Sequence, residues 1–560
     1  MLERSSWDGH WRELSDNLLP RRGRFFEKDV NKGSKKNDRI INNTGTRALN
    51  VLVSGLSSGV TSPARKWFGL TPPDPEMREF GPVKEWLELV ERAMYDVFRA
   101  SNLYQVLPTS YEEVGAFGTA IITQQRDFRT VNRFGSFTIG EYCLAQDAEG
   151  KVRTIYRDVP MTVKQMVDKF GNKQASPSTR WNNFSPEVKN LYDRGDYDVW
   201  LPTVHCLTEN DNFVPGSQLA REFQYEQFIY EANRQNGTPL HVGGFKRFPA
   251  HALRWHVSPT EVYGRSPGMD ALGDIKQLQD MERKGGLALS KHVNPPMVAS
   301  TAMKSERLST LPGDVTFADG TGAQEGFRPA YQTQPQLGQF EKKLEAVEQR
   351  IRGAFYSDLF LSITERPGVQ PLNESEIFER KEEKFLGLGP VMERLDDDLL
   401  EPIIDGTFTD IVESGMVPEP PEELSGANLK IEYLNIIALA QRSQGLLGLQ
   451  DTASFVGNLA AAQASSNQEV TAWDKFDIDQ SIDEYGERRG VPAGVIRSDE
   501  DVQAMRDERR AAAEAQRNAA LAQQAAQAAQ SLGNVETTER NLASDLIAGA
   551  GQGPGAVNVQ

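Results

Sequence analysis

Two stretches decide how this chain is read: SPGMDALGDIKQLQDMERKGGLALSKHV, Ser266 to Val293, and PQLGQFEKKLEAVEQRIRGAFYSDLFLSI, Pro335 to Ile363. Both have helical composition, and each would extend about 40 Å at about 1.5 Å per residue. Ser266 is an N-cap residue and Pro267 suits the first helical position, while Asn294-Pro295-Pro296 stops the first run. The second carries Phe340, Leu344, Val347, Ile351, Phe355 and Leu359 at steps of four and three, one apolar stripe. Lys342, Lys343, Glu345, Gln349, Arg350 and Arg352 lie on its other side. Residues 294–334 between the runs are rich in Gly and Pro, with β-prone fragments at Met297–Ser300 and Asp314–Ala318. A long hairpin opened by a small module is a poor enzyme core and a good stave for a channel wall.

Working outward, 1–265 reads as one large α+β region. Helices are expected over 40–60 and 82–100, and 103–123 carries another through Tyr111, Val114 and Phe117, running into an apolar strand-like stretch at Ala120–Thr123. Strands and turns are expected over 136–160 and 197–265, with a short helix between them closed by Gly171. Residues 20–39 are basic (Arg21, Arg22, Arg24, Lys28, Lys32, Lys35, Lys36, Arg39) and read either as a solvated, mobile arm or as an arm touching DNA or a neighbouring subunit. After the hairpin, Thr364 to Asn373 (TERPGVQPLN) cannot continue a helix. Asn373 with Glu376 resembles a capping box and opens a third long helix toward 415, with a kink expected at Gly387, Gly389 and Pro390. Residues 418–423, PEPPEE, read as a stiff acidic turn and 428–490 as mixed and mostly helical; from about Asp499 an Ala/Gln-rich, helix-prone run reaches about 545, and 546–560 reads as a disordered tail.

The totals exclude several classes of function. A chain of 560 residues with net charge −17 does not grip phosphates nonspecifically, because that needs Lys and Arg in excess. Two cysteines, Cys143 and Cys206, make no disulfide framework and suit a reducing compartment. The N-terminus lacks a signal-peptide core, and no window resembles a membrane span of about 20 apolar residues. No GxxxxGK[ST], HExxH or GxSxG motif occurs, and Gly387-Leu388-Gly389 sits in a helical pattern rather than after a strand. No catalytic residue, metal site or cofactor is expected. His205-Cys206 has no spaced partner pair for zinc, and His251 and His256 flank Trp255 in what reads as a buried strand. Asp396, Asp397 and Asp398 with Glu401 have three readings: a two-metal nuclease site, a solvated face, or the acidic lining of a lumen. Consecutive helical residues point in different directions, which weighs against convergence on one ion. Between Asn373 and Gly426 there are 16 Asp/Glu and four Lys/Arg, a local balance of −12 that repels phosphate if repeated around a ring.

Four stretches together resemble the head-to-tail connector, or portal, proteins of short-tailed bacteriophages. They are RALNVLVSGLSSGVTSPARKWFGL (Arg47–Leu70), EEVGAFGTAII (Glu112–Ile122), RWHVSPTEVYGRSPGMDALGDIKQLQDMERKGGLALSKHVNPPMVAS (Arg254–Ser300) and NESEIFERKEEKFLGLGPVMERLDDDLLEPI (Asn373–Ile403). The resemblance implies a mostly helical α+β portal fold, in a ring of twelve at one capsid vertex. It implies a wing over 1–265, stem helices over 266–293 and 335–363, a clip over 294–334, and a tunnel loop over 364–373. A long kinked wing helix follows over 374–415, then wing or crown to 498 and a crown or barrel helix over 499–545. Partners implied are the terminase motor, tail adaptor and tail proteins, major capsid and scaffolding proteins, internal core or ejection proteins, and double-stranded DNA in transit. Assembly is expected in the host cytoplasm, and the mature location in the virion. Mapped onto this sequence, Thr364, Glu365, Arg366, Pro367, Gly368 and Gln370 face DNA. Lys342, Lys343, Arg350 and Arg352 line the channel, and Met297, Asp314, Val315, Phe317 and Phe327 dock partners. The rival readings are a tail or adaptor ring with no packaging role, and a metal-dependent nuclease using Asp396–Asp398.

Overall fold

The computed structural model describes residues 2–24, 38–74, 77, 80–171, 181–232, 238–295, 297–298, 328–329, 337–364, 388–424, 429–434, 444–466, 471–489, 497 and 499–533. Two compact units result, Met1–Phe476 and Asp477–Gln560.

In the first unit the order is α1 (Leu2–Asn17), α2 (Thr44–Gly59), β1 (Phe68–Thr71), α3 (Gly81–Ala100), α4 (Leu103–Phe117), β2 (Thr119–Asp127), β3 (Val131–Phe137), β4 (Tyr142–Gln146), β5 (Val152–Thr162), α5 (Val163–Phe170), α6 (Pro186–Arg194), β6 (Trp200–Glu209), β7 (Tyr225–Glu231), β8 (His241–Phe245) and β9 (Ala250–Arg254). Then come α7 (Pro267–Val293), β10 (Met297–Val298), β11 (Arg328–Pro329), α8 (Leu337–Ala354), α9 (Ser357–Thr364), α10 (Gly389–Leu395), a π-helical turn (Asp396–Leu400), α11 (Glu401–Glu413), β12 (Lys430–Tyr433) and α12 (Gln444–Ser465). Two antiparallel sheets carry β2 to β9: three-stranded β3-β2-β9 and five-stranded β4-β5-β6-β7-β8. β1 pairs with the distant β12.

The core forms where apolar helix faces converge. α2 presents Ala48, Leu49, Leu52 and Leu56, α4 presents Leu107, Tyr111 and Val114, and both meet Ile275 and Leu278 of α7. Contact is close at two glycines. A Cβ on Gly115 would come 2.8 Å from Leu49, and one on Gly55 would land in the ring of Phe360, with even the Phe360 Cβ 2.8 Å away. Gly118 turns the chain from α4 into β2 at φ 85°, a left-handed conformation that glycine adopts without steric cost. α5 and α6 cover one face of the five-stranded sheet with a satellite core of Val163, Met166, Val167, Phe184 and Val188.

Several expectations change. The basic 20–39 segment is not simply a solvated arm where it is described: Arg22 pairs with Glu112 at 3.1 Å, Arg24 with Glu141 at 3.1 Å, and Arg39 with Asp16 at 2.8 Å. The helix drawn to Ile363 is two. Phe355 and Tyr356 break it, Tyr356 at φ 55°, because Phe355 stays fully buried while the Tyr356 ring turns toward Trp255, centroids 6.1 Å apart. Of the long third helix the described residues show α10 from Gly389 onward, with Pro390 in its first turn; Asn373, Glu376 and Gly387 of the expected start and kink lie outside the described residues. Within the described part the helix widens at Asp396–Leu400, where Glu401 N–H bonds to Asp396 O. Pro402 follows that widened turn and has no N–H with which to hold the ordinary spacing.

The second unit holds α13 (Ile478–Arg489) and α14 (Asp499–Gly533). Arg506 ties them through Asp479 at 2.5 Å. The described side chains of α14 are exposed almost throughout, as an alanine face too shallow for a core implies.

Candidate channel-forming stave

α7 and α8 form a hairpin whose inner half is rooted in the core. The Ser266 side chain accepts the N–H of Met269 at 3.0 Å and donates to Ala116 O at 2.7 Å, so the cap also fixes the helix to the end of α4. Ala271, Leu272, Ile275 and Leu278 are buried there, with Val347, Ile351, Phe355 and Leu359 of the predicted stripe. Leu344 packs on the core partly buried, and Phe340 lies so close over α7 that a Cβ on Gly285 would meet its ring at 2.7 Å. Midway, Asn42 and Gln279 clamp the hairpin. Gln279 Oε1 accepts from the N–H groups of Ile41 (2.7 Å) and Asn42 (2.9 Å), and Gln279 Nε2 donates to Asn42 O (2.7 Å). Asn42 Nδ2 donates to Glu282 on α7 (2.8 Å) and Glu348 on α8 (2.9 Å), so one side chain bridges both helices. Beyond the clamp the outer half emerges from the core, and Leu287, Leu289 and Val293 are 56%, 49% and 76% exposed.

The predicted site residues sort unevenly. Arg350 is not a free channel cation, because Asp274 across the hairpin takes its guanidinium at 2.7 Å. Arg352 pairs with Glu348 at 3.2 Å. Lys342 and Lys343 are exposed and carry no ion pair among the described residues. Of the expected tunnel loop, Thr364 ends α9, and Glu365, Arg366, Pro367, Gly368 and Gln370 lie outside the described residues. Met297–Val298 pairs antiparallel with Arg328–Pro329, closing the base of the segment read as the clip; Asp314, Val315, Phe317 and Phe327 lie outside the described residues.

The acidic run is partly paired within the chain, while Asp397 and Glu401 are exposed. Asp398 accepts from the buried Arg254 Nε at 3.4 Å, and Arg254 Nη2 donates to Gly150 O at 3.1 Å. Asp410 takes Arg126 (2.7 Å) and Arg247 (2.9 Å), while Glu413 takes Arg126 and Lys246. Four cations from outside the run, Arg126, Lys246, Arg247 and Arg254, thereby offset part of the local charge. Burial, reinforced by Asp397 and Glu401, pushes the Asp396 carboxyl up to about 7. No group of three or more potential ligands gathers among the described residues. His251 is buried, bonded to Gln124 at 3.2 Å, and held to about 4 by desolvation, which marks a packed neutral imidazole.

Sequence reasoning missed α1, although Trp7, Trp11, Leu14 and Leu18 recur at helical spacing; Trp11 is fully buried and donates to Phe117 O at 3.2 Å. It also missed the Asn42–Gln279 clamp, which no motif announces.

Over residues 2–496 the chain matches the model of a family described as "Bacteriophage head to tail connecting protein". It is similar to the portal protein of Salmonella phage epsilon15, 40% identical over 550 residues, covering 98% of this chain and 96% of that protein. It is also similar to the probable portal protein of Bordetella phage BPP-1, 38% identical over 544 residues, covering 97% and 95%. Solved structures that align include the neck of an empty gene transfer agent particle computed with C6 symmetry (TM-score 0.37, 10% identity, 77% of this chain, 91% of that one). A native gene transfer agent virion also aligns (TM-score 0.32, 11% identity, 76% and 100%). Matched along nearly its whole length, the chain belongs to the bacteriophage head-to-tail connecting protein family.

Proposed function

We propose that twelve copies of this chain form the portal ring at one capsid vertex. Double-stranded DNA enters through its bore during packaging and leaves through it at ejection. The near full-length identity with two phage portal proteins is the observation that carries this reading. The hairpin α7–α8 supplies the wall. Its inner half is held by intrachain packing, and its outer half offers Leu287, Leu289 and Val293, surface an isolated subunit leaves in water and a neighbouring stave would cover. In this reading 294–334 is the clip, which receives the terminase motor and later the tail adaptor and tail proteins. Residues 364–373 form the tunnel loop against DNA, through Arg366 in particular. Capsid, scaffolding and internal core or ejection proteins contact the wing and crown, and the ring assembles in host cytoplasm before entering the virion. The chain acts as a conduit: its net charge of −17 disfavours sticking to the duplex.

Electron microscopy of the purified protein tests this directly. The expected particle is a closed ring with a bore wider than a duplex; a population of single subunits at every concentration, also with scaffolding protein, would refute it. Arg366→Glu should impair genome retention in filled heads while leaving rings intact, and unchanged retention would remove Arg366 from the tunnel contact.

A further inference from the structure

At the tip of the β2–β3 hairpin, Phe128 is wholly exposed, at 113% of its reference area. The turn that carries it is braced. Asp127 Oδ1 accepts the N–H of Arg129 at 2.9 Å, and Thr130 Oγ1 donates to Asn132 O at 2.9 Å. Arg126 just before it is tied to Asp410 and Glu413 on α11. Val131 sits at φ 64°, a conformation a β-branched residue rarely adopts and one held only by its surroundings. A large apolar side chain thus stands in water on a fixed, strained support. Arg129 and Arg133 beside it are exposed and carry no ion pair among the described residues.

A second surface on the same unit has the opposite character. Cross-strand rows run Tyr156–Cys206–Phe228–Val242, Asp158–Val204–Tyr230 and Thr162–Trp200 across the five-stranded sheet. Side chains alternate between faces, so all of these lie on one side, while Ile155, Leu207 and Ile229 face the other and are buried. The open face of such a sheet is ordinarily polar. Here it presents Tyr156 (42% exposed), Trp200 (51%) and Val242 (48%), with Val204, Phe228 and Tyr230 partly exposed. Its charged members are acidic: Asp158 and Glu226, neither in an ion pair among the described residues.

We infer that the Phe128 hairpin tip of one subunit docks on this aromatic sheet face of the next subunit in the ring, with Arg129 and Arg133 meeting Asp158 and Glu226. This rests on the ring proposed above. A closed ring needs a head-to-tail contact between two different patches of the same chain. These two differ in shape, one a knob and one broad, and are opposite in charge, which is the complementarity that fixes register between protein surfaces.

The test is disulfide trapping in assembled rings. Phe128→Cys with Val242→Cys, in a Cys206→Ser background, should give on oxidation a ladder of covalent multimers, while each single cysteine variant gives none. Arg129→Glu with Arg133→Glu should raise the concentration needed for half-assembly by about tenfold, equivalent to about 1.4 kcal/mol, and Asp158→Arg with Glu226→Arg should restore it. All four charged residues lie on the surface, so subunit melting should be unchanged. Normal rings with no ladder and no effect of charge reversal would overturn the docking while leaving the ring intact, and would assign the sheet face to another occupant. A wild-type protein that never forms rings would instead refute the reading beneath it.

Discussion

Gly55→Ala sets two known effects against each other at one atom. In the middle of α2 the change should favour the helix by about 1 kcal/mol, because alanine loses less backbone entropy than glycine. Against this, the new methyl would occupy the space of the Phe360 ring, whose own Cβ is 2.8 Å from it. Phe360 is 3% exposed and α9 is backed by the core, so the ring has no free volume into which to retreat. Overpacking of this kind costs about 1–3 kcal/mol, and overlap with a rigid aromatic places it near the upper end. The net expectation is a loss of about 1–2 kcal/mol. Urea unfolding of dilute, unassembled subunit, followed by circular dichroism, reads this out as a lower midpoint with unchanged slope. Phe360→Leu in the Gly55→Ala background should recover part of the loss, since the two sites share one contact. A Gly55→Ala protein as stable as the parent, or more so, would mean that α2 and α9 are not in the close register described, and the reasoning would fail.

Arg254→Met should cost about 3–5 kcal/mol, as removal of one partner from a buried ion pair does, because Asp398 and Gly150 O both lose their donor; adding Asp398→Leu should restore more than half, measured by the same unfolding curves. Glu113 bears on pH dependence: burial pushes its carboxyl up to about 7, although Thr138 and Ile139 donate to it. With an unfolded value of about 4.3, the folded state binds the extra proton between the two, so this group's stabilisation is present below about 4.3 and lost as pH rises to about 7. Half-buried His205 and buried His251, held to about 4, act in the opposite sense below their unfolded values, so the diagnostic quantity is the difference from Glu113→Gln, which should lack the Glu113 share of the slope; identical pH profiles would refute it.

The fold was most legible where local chemistry and burial agree. Ser266-Pro267 and Asn294 bound α7 because a cap, a fixed φ and a stop are local properties, and Gly171 closes α5 for the same reason. Spacing also picked out the apolar stripe of α8. It did not reveal the break at Phe355–Tyr356, because that depends on Trp255, about a hundred residues earlier in the chain. The pairing of the acidic run was hidden for a related reason. Its charge was readable, but its partners Arg126, Arg247 and Arg254 come from strands and turns far away in sequence, so neutralisation is a tertiary fact. The candidate interface residues were the least legible. An exposed phenylalanine and an open aromatic sheet face look, in sequence, like ordinary core residues.

The Asn42–Gln279 clamp has a mechanical consequence. A hairpin clamped midway resists a sideways load on its outer half first at the clamp. In this chain that point is a set of hydrogen bonds joining α7 and α8 to the turn before α2. A load on the outer half would therefore be met by the turn that leads into α2, the helix whose Gly55 lies against Phe360 of α9.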